Sequence, residues 1–194
     1  MPGEKITALL GGSFNPPHLA HLLAAGLALS RADCEALWLV PCFAHPFGKG
    51  LASFEDRSAL CEQLIAPFGP RLKVSGIEGE LGGTSYTVRT LEELSRRHPG
   101  RKWAWLIGSD NVEDLPRWKE SERLAALARL WVVPRSDAAA PAASGGASLE
   151  WLGSTPLPAI SSTEIRERIA DGKPVTGLTA KNVAEEIARR GLYR

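Results

Sequence analysis

The chain has 194 residues, 44% of them hydrophobic and 23% charged, with a formal net charge of +1 at pH 7. This composition is typical of a globular protein and argues against a broad electrostatic surface for nucleic acid. No apolar run is long enough to span a bilayer, and residues 1–10 lack the pattern of a signal peptide. We therefore expect a cytoplasmic protein that binds neither nucleic acid nor a membrane. The spacing of Cys34, Cys42 and Cys61 argues against a disulfide framework or a zinc site.

Short apolar runs alternate with helical patterns along the whole chain. Strands are predicted at Ile6–Leu10, Ala36–Pro41, Arg71–Ile77, Trp103–Gly108 and Leu130–Pro134. Helices are predicted at His18–Ser30, Phe54–Ala66, Ser85–Arg97, Glu120–Ala128, Ile160–Ala170 and Lys181–Arg190. This order predicts an α/β fold, a doubly wound and mainly parallel sheet with helices on both faces. We expect one domain over residues 1–194, with a flexible loop at about 136–148 and a small helical C-terminal part from about 160.

The segment GGSFNPPHLAHLL, residues 11–23, joins the first predicted strand to the first predicted helix. Gly11 and Gly12 follow the strand, at the edge where parallel sheets bind ligands, and would let a phosphate approach the backbone. His18 and His21 share one face of the first helical turn, where free N–H groups attract anions. Histidines there can stabilise charge that develops on a phosphate. The alternatives are a metal pair, for which further ligands are lacking nearby, and two incidental histidines.

The stretch ISSTEIRERI, residues 160–169, is a second candidate for anion binding. Ser161 and Ser162 can cap a helix and contact a phosphate oxygen, and a helix would bring Arg166 to the same face as Ser162. The alternative is an ordinary capping box, from Ser161 to Glu164, on a surface helix. The second anion site is favoured because the first one exists.

Two more stretches place polar and aromatic groups at the same edge. Asp110 comes directly after the fourth predicted strand, where it could accept hydrogen bonds from a ribose or orient a magnesium ion. Trp118 follows in a polar segment and could stack on a planar ligand, although a core position is the common role of tryptophan. Residues 84–87 begin a predicted helix and suit either a bound anion or simple N-capping.

Taken together, these segments resemble a known enzyme group. GGSFNPPHLAH resembles the GGxFDPxHxGH signature of the nucleotidyltransferase superfamily with an HxGH motif, and ISSTEIR resembles its second signature, ISSTxIR. The stretches SYT, LPRW and GLYR are similar to those of nicotinate-nucleotide adenylyltransferases, which act in NAD biosynthesis. The similarity runs over nearly the whole chain, in the expected order.

The resemblance implies transfer of the adenylyl group of ATP to nicotinate mononucleotide, with Mg²⁺ carried by ATP rather than by direct protein ligands. It implies that the catalytic residues are His18, His21 and Arg166. It implies ATP contacts from Gly11, Gly12, Ser13, Phe14, Gly108, Asp110, Arg135, Ile160, Ser161 and Ser162. It implies mononucleotide contacts from Ser13, Asn15, Thr84, Tyr86, Trp118 and Lys119, with Trp118 stacked on the pyridine ring.

Three departures from the family pattern leave the acceptor open. Asn15 stands where bacterial members usually have Asp, and Ala20 replaces the glycine of HxGH. Loop 43–50 also differs in sequence from the usual family loop, and His45 and Lys49 would supply its charge. Nicotinamide mononucleotide is therefore an alternative acceptor, and phosphopantetheine a more distant one. A non-catalytic sensor of ATP or NAD is a third reading, which the presence of the full residue set disfavours. The sequence leaves open whether the chain forms a homo-oligomer.

Overall fold

The computed structural model describes residues 5–45, 50–135 and 149–194. Its strands are β1 (Ile6–Gly12), β2 (Cys34–Pro41), β3 (Leu72–Val74), β4 (Lys102–Gly108), β5 (Arg129–Val133) and β6 (Leu149–Trp151). Its helices are α1 (Leu19–Leu29), α2 (Phe54–Ile65), α3 (Ile77–Leu81), α4 (Thr87–Arg97), α5 (Ser121–Leu127), α6 (Ser162–Ala170) and α7 (Lys181–Arg190). Short 3₁₀ turns lie at 66–68, 109–111 and 115–117.

All six strands form one parallel sheet in the order β3-β2-β1-β4-β5-β6. The chain runs outward from β1 to β3 and then returns to place β4 on the other side of β1. The order therefore reverses between β1 and β4, and in open α/β sheets ligands bind beyond the carboxyl ends of the strands at such a point. The predicted α/β fold with a doubly wound parallel sheet is confirmed.

Helices cover both faces of the sheet, which explains why β1 is apolar at consecutive positions. Ala8 and Leu10 pack against α1, α2 and α7, whereas Leu9 packs on the opposite face with α4 and α5. Because successive side chains of a strand point to opposite faces, a strand covered on both faces needs apolar residues throughout. None of the described helices is long and apolar enough to cross a membrane.

The predicted and observed elements differ in a few places. The strand predicted at Arg71–Ile77 ends at Val74, and Ile77 instead begins α3, where it is 3% exposed. A run this short carries too little periodicity to separate a strand end from a buried helical turn. Strand β6 and helix α3 were not predicted, and the helix expected from Ile160 begins at Ser162. The loop expected at 136–148 lies outside the described residues.

Candidate active site

The candidate site lies where β1 and β4 end and where α1 and α6 begin. Strand β1 ends at Gly12 and β4 at Gly108, so both glycines sit at the carboxyl edge beside the reversal of strand order. The segment between β1 and α1 carries the first signature and the start of α6 carries the second. The fold thus brings together two segments that are about 150 residues apart in sequence.

The glycines of the first signature have packing reasons of their own. A Cβ atom on Gly11 would lie 2.3 Å from Cζ2 of Trp105, so a side chain is excluded there by the core. A Cβ atom on Gly12 would lie 3.3 Å from the ring of Phe14. Phe14 itself is 1% exposed and adopts a left-handed φ of 47°, which is unusual for a bulky residue. The turn that follows β1 is therefore fixed from the core side.

His18 and His21 form a stacked pair at the start of α1. Their ring centroids are 3.7 Å apart at 28°, and His18 occupies the N-cap position. The backbone N–H of His18 donates to Nδ1 of His21 at 3.1 Å. A neutral His21 must therefore carry its proton on Nε2, which remains as a hydrogen-bond donor.

Both histidines are held in the neutral form. Burial, together with the nearby positive charge of Arg135, lowers the pKa of His18 to about 4. Burial also holds the pKa of His21 well below 6.5, with further contributions from His18 and Arg135. Without ligand, the pair thus adds hydrogen-bond donors at neutral pH but no charge.

Three consecutive carbonyl groups of the first signature are held by the C-terminal part of the chain. Nη1 of Arg166 donates to the Asn15 carbonyl oxygen at 2.9 Å, and the Ser162 hydroxyl donates to that of Pro16 at 2.8 Å. The Thr179 hydroxyl donates to the carbonyl oxygen of Pro17 at 2.9 Å. Two of these three donors come from the second signature, so the two signatures contact each other directly.

The side chain of Asn15 is buried and bound by other parts of the protein. Its Oδ1 accepts hydrogen bonds from the Ala52 N–H and from the Tyr193 hydroxyl, both at 3.0 Å. Its Nδ2 donates to the Gly50 carbonyl oxygen at 3.4 Å. Burial raises the pKa of Tyr193 well above its usual value, so its hydroxyl stays protonated and keeps donating. Asn15 is 3% exposed and connects the first signature to the loop before α2 and to the C-terminal residues.

The second signature also forms the ordinary helix cap that was the alternative to an anion site. The Ser161 hydroxyl caps α6 by accepting a hydrogen bond from the Glu164 N–H at 3.1 Å. Ile160 packs with Ala20 and Ile165 in a small apolar cluster. The alanine that replaces the glycine of HxGH is 6% exposed and thus fills space between the two signatures.

Arg135, Asp110 and Gly108 lie together at the ends of β4 and β5. Nη1 of Arg135 is 3.8 Å from a carboxylate oxygen of Asp110, and its Nη2 reaches the Ile160 carbonyl at 3.5 Å. A Cβ atom on Gly108 would lie 2.2 Å from the Asp110 carboxylate and 3.1 Å from Arg135. Glycine at 108 therefore makes room for both charged side chains.

The residues expected to contact the pyridine ring lie around the start of α4. Nζ of Lys119 lies 4.5 Å from the ring centroid of Tyr86, and Tyr86 and Trp118 pack against the same apolar cluster. Thr84 is exposed and bridges to Ala44, in the loop that follows β2. Lys49, expected to add charge in that loop, lies outside the described residues.

Sequence reasoning missed several residues that shape the site: Arg57, Glu78, Thr179 and Tyr193. Arg57 is the clearest case, since it is 1% exposed although it lies in a helix whose start reads as a polar surface. No local pattern marks an arginine as buried, because the burial comes from loops that are distant in sequence. The sequence pointed to Tyr193 only because GLYR is similar to the corresponding stretch of the family.

Comparison with known proteins agrees with this geometry. Residues 9–168 match the cytidylyltransferase-like family model. A probable nicotinate-nucleotide adenylyltransferase of Anaeromyxobacter dehalogenans is 44% identical over the full length of both chains. That of Myxococcus xanthus is 41% identical over 96% of this chain and 93% of the relative.

Solved structures show the same fold. Plasmodium falciparum nicotinic acid mononucleotide adenylyltransferase, complexed with NaAD, superposes with a TM-score of 0.79 at 19% identity and covers 98% of each chain. A putative nicotinate-nucleotide adenylyltransferase from Vibrio parahaemolyticus gives 0.74 at 22% identity, over 98% of this chain and 96% of that one. The fold, the contact between the two signatures and the relatives agree: this chain belongs to the nicotinate-nucleotide adenylyltransferase family.

Proposed function

We propose that this chain transfers the adenylyl group of ATP to nicotinate mononucleotide, giving nicotinate adenine dinucleotide and pyrophosphate. An oxygen of the mononucleotide 5′-phosphate attacks the α-phosphorus of ATP. The bond from that phosphorus to the bridging oxygen of the β-phosphate breaks, and pyrophosphate leaves with the electron pair. The attacking phosphate is already an anion, so the reaction needs neither a general base nor a covalent intermediate.

The observation that carries this proposal is the contact of Arg166 and Ser162 with the carbonyls of Asn15 and Pro16. It fixes the loop before His18 and His21 at the reversal of strand order, where anions are expected to bind. Catalysis then depends on aligning two phosphates and stabilising the charge on pyrophosphate. The histidines, the arginines and the helix N-terminus suit both tasks.

We assign His21 the main part in stabilising the leaving group. Its neutral ring offers an Nε2–H donor whose orientation is set by the bond between Nδ1 and the His18 backbone. A donor that is already oriented needs no rearrangement when negative charge develops. His18 and Arg166 complete the catalytic set, and Gly12, Ser13, Gly108, Asp110, Arg135 and Ser162 are proposed to contact ATP.

Magnesium is proposed to be carried on the ATP phosphates, where it would neutralise charge on the departing pyrophosphate. The Asp110 carboxylate is about half-exposed, at 53%, and supplies oxygen atoms of the kind that Mg²⁺ prefers. Within 5–45, 50–135 and 149–194, no three His, Cys, Asp or Glu side chains form a cluster that could hold a metal ion.

Thr84, Tyr86, Trp118 and Lys119 are proposed to receive the pyridine ring and its carboxylate. Asn15 is assigned a positioning part, because its Oδ1 already accepts two hydrogen bonds from the protein. The contact of Nδ2 with Gly50 explains the amide at this position. An aspartate would turn a carboxylate oxygen towards the Gly50 carbonyl.

The proposal is tested by product formation from MgATP with nicotinate mononucleotide, nicotinamide mononucleotide or phosphopantetheine, measured by chromatography. Strong preference for the nicotinate form is expected, and Asn15→Asp should keep that preference while lowering the free energy of unfolding by about 1 kcal/mol. Equal or better use of another acceptor would overturn the assignment. Binding of ATP without product from any of them would instead support a sensor.

A further inference from the structure

Arg57 is a buried guanidinium whose hydrogen bonds join two loops of the candidate site, the one after β1 and the two ends of the one between β2 and α2. Its Nη1 donates to the Ser13 carbonyl oxygen at 2.8 Å and its Nε to that of Ala52 at 2.9 Å. Its Nη2 donates to the Phe43 carbonyl oxygen at 3.2 Å. The planar guanidinium has donors in several fixed directions, so one side chain can hold all three carbonyls at once.

The Phe43 segment is held from its other side by the start of α4. The Phe43 N–H donates to the Ser85 hydroxyl at 2.9 Å and to the Glu78 carboxylate at 3.2 Å. The second Glu78 oxygen accepts from the Thr90 hydroxyl at 2.7 Å. The Ser85 N–H donates to the carbonyl of Ala44 at 3.0 Å. A continuous chain of hydrogen bonds therefore connects Arg57 to the segment that carries Tyr86.

The charge of Arg57 is not balanced by an acidic partner. Its acceptors in the described part of the chain are three backbone carbonyls and the Cys42 sulfur, and no carboxylate there lies at ion-pair distance. Burying a cation without a charged partner lowers the free energy of unfolding, so such a residue is expected only where it is needed.

We infer that Arg57 is a positioning residue that fixes the phosphate-binding turn at Ser13 relative to the pyridine-binding segment at 84–86. The inference rests on the proposed function, which assigns ATP to the first segment and the mononucleotide to the second. Alignment of two bound substrates matters most in the transition state, and a displacement of about 1 Å can lower the rate roughly 10²-fold. Loss of Arg57 should therefore reduce the transfer step more than the binding of either substrate alone.

Arg71, an exposed arginine at the other end of the molecule, provides a control for the loss of three carbonyl contacts. Its guanidinium also donates to three backbone carbonyls, those of Leu29, Cys34 and Glu35, at 2.8–3.1 Å. It precedes β3, so these bonds lie at the amino edge of the sheet. A purely structural role for Arg57 predicts that its variants lose stability while the folded protein keeps the wild-type transfer rate, as the Arg71 variants should.

The test compares Arg57→Lys and Arg57→Ala with Arg71→Lys and Arg71→Ala in the full-length chain. We expect the single-turnover rate to fall roughly 10- to 100-fold in both Arg57 variants, while the Kd for MgATP measured by calorimetry stays near wild type. Both Arg71 variants should keep the wild-type rate. Millimolar guanidinium chloride should restore part of the rate in Arg57→Ala, and equal NaCl should not.

Unchanged transfer rates in folded Arg57 variants would overturn the inference. Failure of both variants to fold, while the Arg71 variants fold, would also overturn it, because Arg57 would then act in folding alone. The wild-type assay keeps the two proposals separate, since a wild-type chain inactive with nicotinate mononucleotide would contradict the proposed function. The calorimetric comparison of the variants would still report on the phosphate turn.

Discussion

Arg31 and Arg101, at the amino edge of the sheet, have different partners from Arg57 and Arg166 at the carboxyl edge. At the amino edge, Arg31 forms ion pairs with Asp33 at 2.9 Å and with Glu150 at 3.2 Å. Arg101 pairs with Glu35 at the same edge, at 3.0 Å. Each of these positive charges is balanced by a partly exposed carboxylate. Such pairs generally contribute less than about 1 kcal/mol to stability.

At the carboxyl edge, Arg57 and Arg166 donate to backbone carbonyls instead. Among the described residues, no carboxylate lies at ion-pair distance from either guanidinium. Carbonyl oxygens fix where a guanidinium lies but do not cancel its charge. The comparison shows how one residue type can either stabilise a surface or hold the loops of a candidate site in place.

The largest expected effect comes from the histidine pair. His21→Asn keeps an acceptor near the position of Nδ1 but removes the Nε2–H donor, so kcat should fall roughly 10²- to 10³-fold. The matched control is His98→Asn, since His98 follows α4 and contacts Trp38 and Trp103 near the amino edge. Steady-state kinetics of purified variants checks this. An active His21→Asn enzyme would contradict the assigned role.

Acid should weaken the protein through His18. Its pKa is about 4 in the folded chain and 6.5 as the ordinary value, so the unfolded chain binds the proton first as pH falls. Above about pH 6.5 His18 is neutral in both states and costs no stability. Between about pH 6.5 and pH 4 the unfolded chain binds the proton and the folded chain does not, so the free energy of unfolding falls by roughly 3 kcal/mol in total. Urea unfolding at pH 7 and pH 4.5 measures the loss, and His18→Asn should show less of it. An equal loss in wild type and variant would exclude His18 as the source.

The smallest effect is expected from one arginine at each edge. Arg166→Met removes a charged hydrogen bond to the Asn15 carbonyl, so kcat/KM for ATP should fall roughly 10- to 100-fold. Arg31→Met should leave kcat/KM unchanged and lower the free energy of unfolding by less than about 1 kcal/mol. Parallel kinetics and urea titrations give both values. Equal kinetic losses in the two variants would remove the distinction between the ion-paired and the carbonyl-bound arginine.

The sequence was sufficient for most of the sheet because burial on both faces leaves a direct trace. Strand β4 is an example, since it ends at the predicted Gly108 and begins one residue before the predicted Trp103. Among the helices, the predicted α7 matches Lys181–Arg190 at both ends. Strand β6 left little trace, because it has three residues and pairs only along the edge formed by β5. Helix α3 was missed because five residues are too few to show a helical period.

The candidate site was located from its two signatures, but the function of single side chains needed the three-dimensional contacts. Gly11 illustrates this, since the sequence suggested phosphate access and the structure adds the close approach of Trp105. Asn15 drew attention as a departure from the family, yet its hydrogen bonds run to Gly50, Ala52 and Tyr193. Contacts of this kind join distant segments, and no local pattern encodes them.

The dependence of the Asn15–Pro17 loop on late residues has a consequence for protein synthesis. A ribosome that has completed the first 135 residues has made both histidines and five of the six strands. The hydroxyl and guanidinium groups that hold the loop's three carbonyls come from residues 162, 166 and 179, and the group that holds Asn15 comes from residue 193. A chain shortened by a premature stop would therefore contain the histidines without the contacts that place them. Adenylyl transfer would begin only after residue 193 has been added to the chain.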